Sequence, residues 1–253
     1  MSRVELPMMF NLHHPLNLEV IGAEAQHDNM QSAAYRVIWG FLRKCPASKV
    51  RFCIFDPKEG GGSVRMLSNF VNKMPDSYKR AVTQMSRTEE LLSCLKELEG
   101  QTLDFIRDRP DYDDLLDYNA HNPRRTEAIT LLMLYDFPLN VDARCLELLS
   151  SVMQKGNRCG IYVVLCRNTA VEVASSYDHI DEKLAELEKN CVQIECKENG
   201  FALLPYHLSV RLIEKPDAGQ LEKFAVEYHK AVEKLSVQSI HFEEILPPEP
   251  FQG

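Results

Sequence analysis

The chain has 253 residues, 45% of them hydrophobic, enough for one large domain or two small ones whose core needs no disulfide or metal staple. Its formal charge of −8 and pI near 5.5 argue against an autonomous nucleic-acid binder, which would carry a broad basic footprint. No apolar stretch approaches the roughly 20 residues needed to span a bilayer, and the N-terminus lacks a basic-then-apolar signal pattern, so a cytoplasmic protein without a membrane segment is expected.

Leu18 to Ile21 is a short strand candidate. From Asn29 to Lys44 a helix is expected, with Ala34, Val37, Ile38 and Phe41 on one face. Val50 to Phe55 is a second strand closed by Asp56-Pro57, and two strands separated by one helix imply a parallel βαβ unit. Glu59-Gly60-Gly61-Gly62-Ser63 reads as a flexible loop, since no lysine follows the glycines in the register that phosphate binding needs. Ser86-Arg87-Thr88-Glu89 has capping-box spacing and opens an amphipathic helix with Leu91, Leu95 and Leu98 on one stripe. A short helix is expected over Asp111 to Tyr118, and Ile129 to Tyr135 is a near-continuous apolar run, as a parallel strand covered on both faces should be. A helix from Asp142 to Lys155 stops near Gly156, and Gly160 to Cys166 forms the next strand. Cys191 to Cys196, Phe201 to Leu204 and Leu208 to Ile213 are β-rich. Asp217, with Gln220 three residues on, caps a last helix to about Leu235. Residues 1–245 therefore read as a single α/β domain. The Pro-rich segment 246–253 reads as a stiff linker to a further domain.

The cysteines at 45, 53, 94, 145, 159, 166, 191 and 196 include no CxxC pair and read as reduced core thiols. Arg124-Arg125 and Lys155 to Arg158 are basic clusters too small to mean more than solvated surface. His13-His14 and His27 lack ligand spacing to a second cluster, which favours a structural or surface role over a metal site. No G-x-S-x-G is present, so little supports an unrelated hydrolase.

Between the strand at Leu18 to Ile21 and the following helix the chain reads Gly22-Ala23-Glu24-Ala25-Gln26-His27-Asp28-Asn29. A phosphate loop G-x-x-x-x-G-K-[ST] needs glycines so that backbone N–H groups can close around phosphates, a lysine for the β/γ oxygens and a hydroxyl for Mg²⁺. Counted from Gly22, the second glycine is His27, the lysine is Asp28 and the hydroxyl is Asn29. Glu24 and Asp28 also put negative charge where a helix N-terminus would otherwise favour an anion.

On three further segments the chain resembles the motor domain of the FtsK/SpoIIIE translocase family of RecA-like P-loop ATPases. They are the strand Val50 to Phe55 ending in Asp56-Pro57-Lys58, the strand Leu131 to Tyr135 ending in Asp136, which looks like Walker B, and Gly156 to Leu165, which looks like the passage from helix to strand after Walker B. The resemblance covers roughly residues 16 to 200. It implies a parallel sheet flanked by helices and makes Gly22, His27, Asp28, Asn29, Asp56, Asp136, Phe137 and Asn168 the remnants of a nucleotide site. It also implies the losses: Phe137 stands where the catalytic glutamate would follow Asp136, and Arg167-Asn168 where the family has a Thr-Gln sensor pair. Losing lysine, hydroxyl and general base together is hard to rescue, because phosphoryl transfer relies almost wholly on positioning and charge stabilisation. Asp56 and Asp136 also have a plainer reading, as residues that end strands and cap the turns after them.

The reading is a non-hydrolysing copy, with no catalytic residue and no cofactor, that serves assembly or regulation in a larger translocase-like or secretion-type ATPase. Its partners would be other domains or subunits of that ATPase, with DNA reached only through the parent protein. The alternative is an active motor that binds ATP and Mg²⁺ through an unorthodox loop.

Overall fold

The computed structural model describes residues 17–45, 49–58, 81–123, 125–171, 180–212 and 214–240. The glycine run 60–62, His13-His14 and the segment 246–253 lie outside them. The strands are β1 (Asn17–Gly22), β2 (Val50–Phe55), β3 (Val82–Met85), β4 (Ile129–Phe137), β5 (Ile161–Asn168), β6 (Cys191–Lys197), β7 (Gly200–Leu203) and β8 (Leu208–Val210). The helices are α1 (His27–Lys44), α2 (Thr88–Asp108), α3 (Leu115–His121), α4 (Ala143–Lys155), α5 (Ile180–Lys189) and α6 (Ala218–Ile240).

All eight strands form one sheet in the order β3-β2-β4-β5-β1-β6-β7-β8. The first six are mutually parallel and β7 and β8 add an antiparallel edge. β1 and β2 thus share a sheet as expected, but β4 and β5 lie between them. Every residue of β4 is buried, because helices cover both faces and leave no side of the strand to water.

Strand alternation still sorts the two faces. Leu18, Val20, Phe52, Ile54, Leu131, Met133, Val164 and Cys166 pack with α1 and with Ala225 and Tyr228 of α6. Cys53, Phe55, Leu132, Leu134, Val163 and Leu165 pack with the Leu91, Leu95 and Leu98 stripe of α2, with α4, and with Leu184 and Leu187 of α5.

Local signals set the helix ends. Asp217 Oδ1 accepts from Gln220 N at 2.7 Å while Gln220 Oε1 accepts from Asp217 N at 3.1 Å, the reciprocal pair the spacing predicts. α4 begins after Asp142, whose Oδ1 accepts from Cys145 N at 2.7 Å. The last helix runs to Ile240, five residues past its expected end, and three helix starts also differ from expectation. α2 is capped through Glu90, which accepts from Ser86 N at 2.9 Å and Arg87 N at 3.2 Å, so the box sits one residue later than Ser86-Glu89. α3 starts at Leu115 because Asp114 Oδ1 accepts from Asp117 N at 2.8 Å, leaving 111–114 outside the helix. α1 starts two residues earlier than expected, at His27, directly after a 3₁₀ turn over Glu24–Gln26.

Four ends converge: β1, β2, β4 and β5 are parallel, so Gly22, Asp56, Asp136 and Asn168 all lie at the carboxyl edge of the sheet. In open α/β sheets that edge is where ligand crevices form.

Candidate nucleotide site

The loop after β1 is closed on itself. Gln26 Oε1 accepts from Ala23 N at 3.0 Å, Gln26 N donates to Ala23 O at 2.8 Å, and His27 N donates to Glu24 O. A cradle for phosphate needs such amides turned toward the ligand; here three of them are spent within the loop. At Gly22 an added Cβ would lie 3.0 Å from Met30 Sδ, so the glycine serves the close packing of strand end on helix, and its carbonyl accepts from Thr169 N at 2.9 Å.

Asp136 lies at the centre of this group of strand ends. Its side chain is 3% exposed and its backbone is left-handed, with φ 50°, a conformation that costs most L-residues but suits Asp and Asn best among non-glycines. Three groups reach its Oδ1: Lys58 Nζ at 3.0 Å, Asn168 Nδ2 at 3.2 Å and His27 Nδ1 at 3.7 Å. Gln31 Nε2 lies 2.6 Å from His27 Nε2.

Glu24 completes the group from the loop side. Asn168 Nδ2 donates to its Oε2 at 2.6 Å, and Lys58 Nζ lies 3.6 Å from the same oxygen. The Asn168 bond, and after it the Lys58 charge, hold the Glu24 carboxyl below its usual range. Burial works to lower the Lys58 ammonium, but the hydrogen bond to Asp136 and the charges of Asp136 and Glu24 outweigh it and raise it. Two carboxylates are therefore joined by one ammonium and one amide at the carboxyl ends of β1, β2, β4 and β5.

The remaining expected residues divide. Asp56, buried, accepts from Lys58 N through Oδ1 at 3.2 Å, which aims the Lys58 side chain toward Asp136. Asn29 turns away from the crevice and donates to Lys197 O at 3.0 Å. Asp28 is exposed on the first turn of α1. Phe137, 2% exposed, packs in the core beneath α2 and α4, so the position after Asp136 offers the crevice no side-chain base. Arg167 points to the opposite side of β5 from Asn168, pairing with Glu188 and, at 3.4 Å, with Glu19. Sequence reasoning missed Lys58 as a member. Its only sequence signal is its position two residues beyond a strand-ending aspartate.

Among the described residues, no group of three or more His, Cys, Asp or Glu is placed to hold a metal ion, and no helix is long and apolar enough to cross a membrane.

The sequence matches no protein-family model and no curated protein. Solved structures do match. The two-domain fragment EssC (ATPases 2 and 3) from Geobacillus thermodenitrificans superposes with a TM-score of 0.57 at 13% identity, over 94% of this chain and 46% of that one. The cytoplasmic domain of the Thermomonospora curvata type VII secretion ATPase EccC gives 0.50 at 17% identity, over 72% and 20%. The pCW3 conjugation coupling protein TcpA gives 0.50 at 13% identity, over 74% and 50%.

The fold is therefore that of a RecA-like α/β P-loop ATPase domain. The same fold is seen in EssC, EccC and TcpA at 13–17% identity. The chain spans half or less of each of these proteins.

Proposed function

We propose that this chain is a non-hydrolysing FtsK/SpoIIIE-like domain that contributes assembly contacts or regulation to a larger ATPase of the secretion or DNA-translocase kind. One observation carries the reading: Lys58, Glu24, Asp136 and Asn168 form a charge network at the carboxyl ends of β1, β2, β4 and β5. A nucleotide entering it would have to displace Glu24 and strip Lys58 from a buried carboxylate. It would then meet Asp28 where a lysine should neutralise the β/γ-phosphates. Phe137 and Asn29 leave neither base nor hydroxyl for the chemistry.

The presence of ATPases 2 and 3 side by side in EssC supports other domains of the same protein as the partners. No comparable observation supports direct contact with DNA. The test is phosphate release from Mg-ATP by the purified chain. No turnover above background is expected; turnover that vanishes in Asp136→Ala would overturn the reading and favour an active motor.

A further inference from the structure

We infer that Lys58 is a positioning residue that stands in for a bound nucleotide and its cation, tying the carboxyl ends of β1, β2, β4 and β5 into one fixed arrangement. The inference rests on the crevice taking no nucleotide, and goes beyond it by assigning the site a constant conformational role. In a working P-loop site the phosphates and Mg²⁺ bridge the loop after the first strand to the Walker B aspartate, and that bridge comes and goes with each turnover. Here the bridge is covalently part of the chain. The Lys58 ammonium spans Asp136 at 3.0 Å and Glu24 at 3.6 Å, and its root is held by the Lys58 N to Asp56 Oδ1 bond at 3.2 Å. Asn168, at the end of β5, donates to the same two carboxylates at 2.6 and 3.2 Å.

Two features indicate a lock and not a passing surface pair. Asp136 is buried, so its charge is expensive to leave alone. Its backbone is also held at φ 50°, a conformation that persists where the surroundings over-determine it. A neighbouring domain that docks on this edge would meet the same surface whatever the nucleotide state of an active copy beside it.

The test is residue-resolved hydrogen exchange of the whole chain without nucleotide, comparing the wild type with Lys58→Met and Lys58→Arg. The reporting amides are Gln26, bonded to Ala23 O, Leu139, bonded to Asp136 O, and Thr169, bonded to Gly22 O. Lys58→Met should speed their exchange by about tenfold or more; the mid-strand amides of Leu132 and Val164 report global unfolding, and Gly160→Ala, which destabilises the fold away from these strand ends, should speed those two and leave the three reporters unchanged. Lys58→Arg should restore most of the protection.

Unchanged exchange at the three amides in Lys58→Met, or the same speeding there in Gly160→Ala, would overturn the inference. If Lys58→Met does not fold, Glu24→Gln decides the matter: it should speed Gln26 and Thr169 alone, and no change there counts against the lock. Added Mg-ATP should leave the wild-type pattern untouched. New protection with Mg-ATP would refute the nucleotide-free reading, while the Lys58→Met result would still report on the tie itself.

Discussion

Replacing Asp136 separates the contributions that hold the crevice together. Asp136→Asn removes the charge but keeps an oxygen that can accept from Asn168 and a residue type that tolerates the left-handed backbone at φ 50°. What it loses is the ion pair to Lys58. A hydrogen bond to a charged group contributes about 1.5–3 kcal/mol, and the lower end applies because Lys58 is 40% exposed and can turn to water. Asp136→Ala loses this and more: alanine pays about 1 kcal/mol or more in the left-handed region, and the buried Asn168 amide keeps only Glu24 as acceptor. The cost should be about 1.5 kcal/mol for Asn and about 3 kcal/mol for Ala. For a chain of this size each kcal/mol moves Tm by about 2–4 °C, giving falls of about 3–6 °C and 6–12 °C in a thermal scan monitored by circular dichroism. Equal Tm values for the two variants, or no change in either, would refute the view that Asp136 is a charge-paired and conformationally constrained centre.

Burial raises the carboxyl of Glu19, 1% exposed in the middle of β1, against the opposing hydrogen bond from Gln193 and the charge of Arg167. A raised carboxyl binds its proton more tightly in the folded chain than in the unfolded one, so it destabilises increasingly as pH rises above the ordinary carboxylate range. Glu19→Gln should therefore raise Tm at about pH 8 and leave it nearly unchanged at about pH 4; a stabilisation that is larger at low pH would contradict the sign. Gly160 has φ 75°, and an added Cβ would lie 2.3 Å from Leu115 Cδ2. Gly160→Ala should lower the urea midpoint by the equivalent of about 2–4 kcal/mol, and a neutral result would show that α3 is free to move. Burial pushes the thiols of Cys45 up to about 11 and of Cys145 and Cys196 up to about 12. These three should resist an aromatic disulfide reagent at about pH 8 until the chain unfolds; immediate reaction in the native protein would count against their placement.

The parts of this fold legible in the sequence are those whose cause is local. β2 spans the whole of Val50–Phe55 as read, β4 contains the near-continuous apolar run Ile129 to Tyr135, and the α6 cap pairs Asp217 with Gln220 as its spacing predicts. Val82–Met85 escapes a sequence reading because a four-residue edge strand with one buried side chain shows neither alternation nor an apolar run. α5 escapes it too, although Leu184 and Leu187 have helical spacing, because ten residues give little periodicity to read. The departure of Gly22 to Asn29 from the phosphate-loop pattern is visible in the sequence, but the charge network beside it is not. Lys58 meets Asp136 across 78 positions and Asn168 meets Glu24 across 144, pairings that only the parallel order of β2, β4, β5 and β1 creates.

Adding Mg-ATP to the purified chain and following its Tm addresses the central claim most directly. A ligand present at a hundredfold excess over its Kd stabilises the state that binds it by about 2.7 kcal/mol, which for a chain of this length is a rise of roughly 5–10 °C. With Glu24, Lys58, Asp136 and Asn168 occupying the crevice, Tm should stay constant up to millimolar Mg-ATP. A saturable rise of several degrees, lost in Asp136→Ala, would show that the crevice still takes nucleotide.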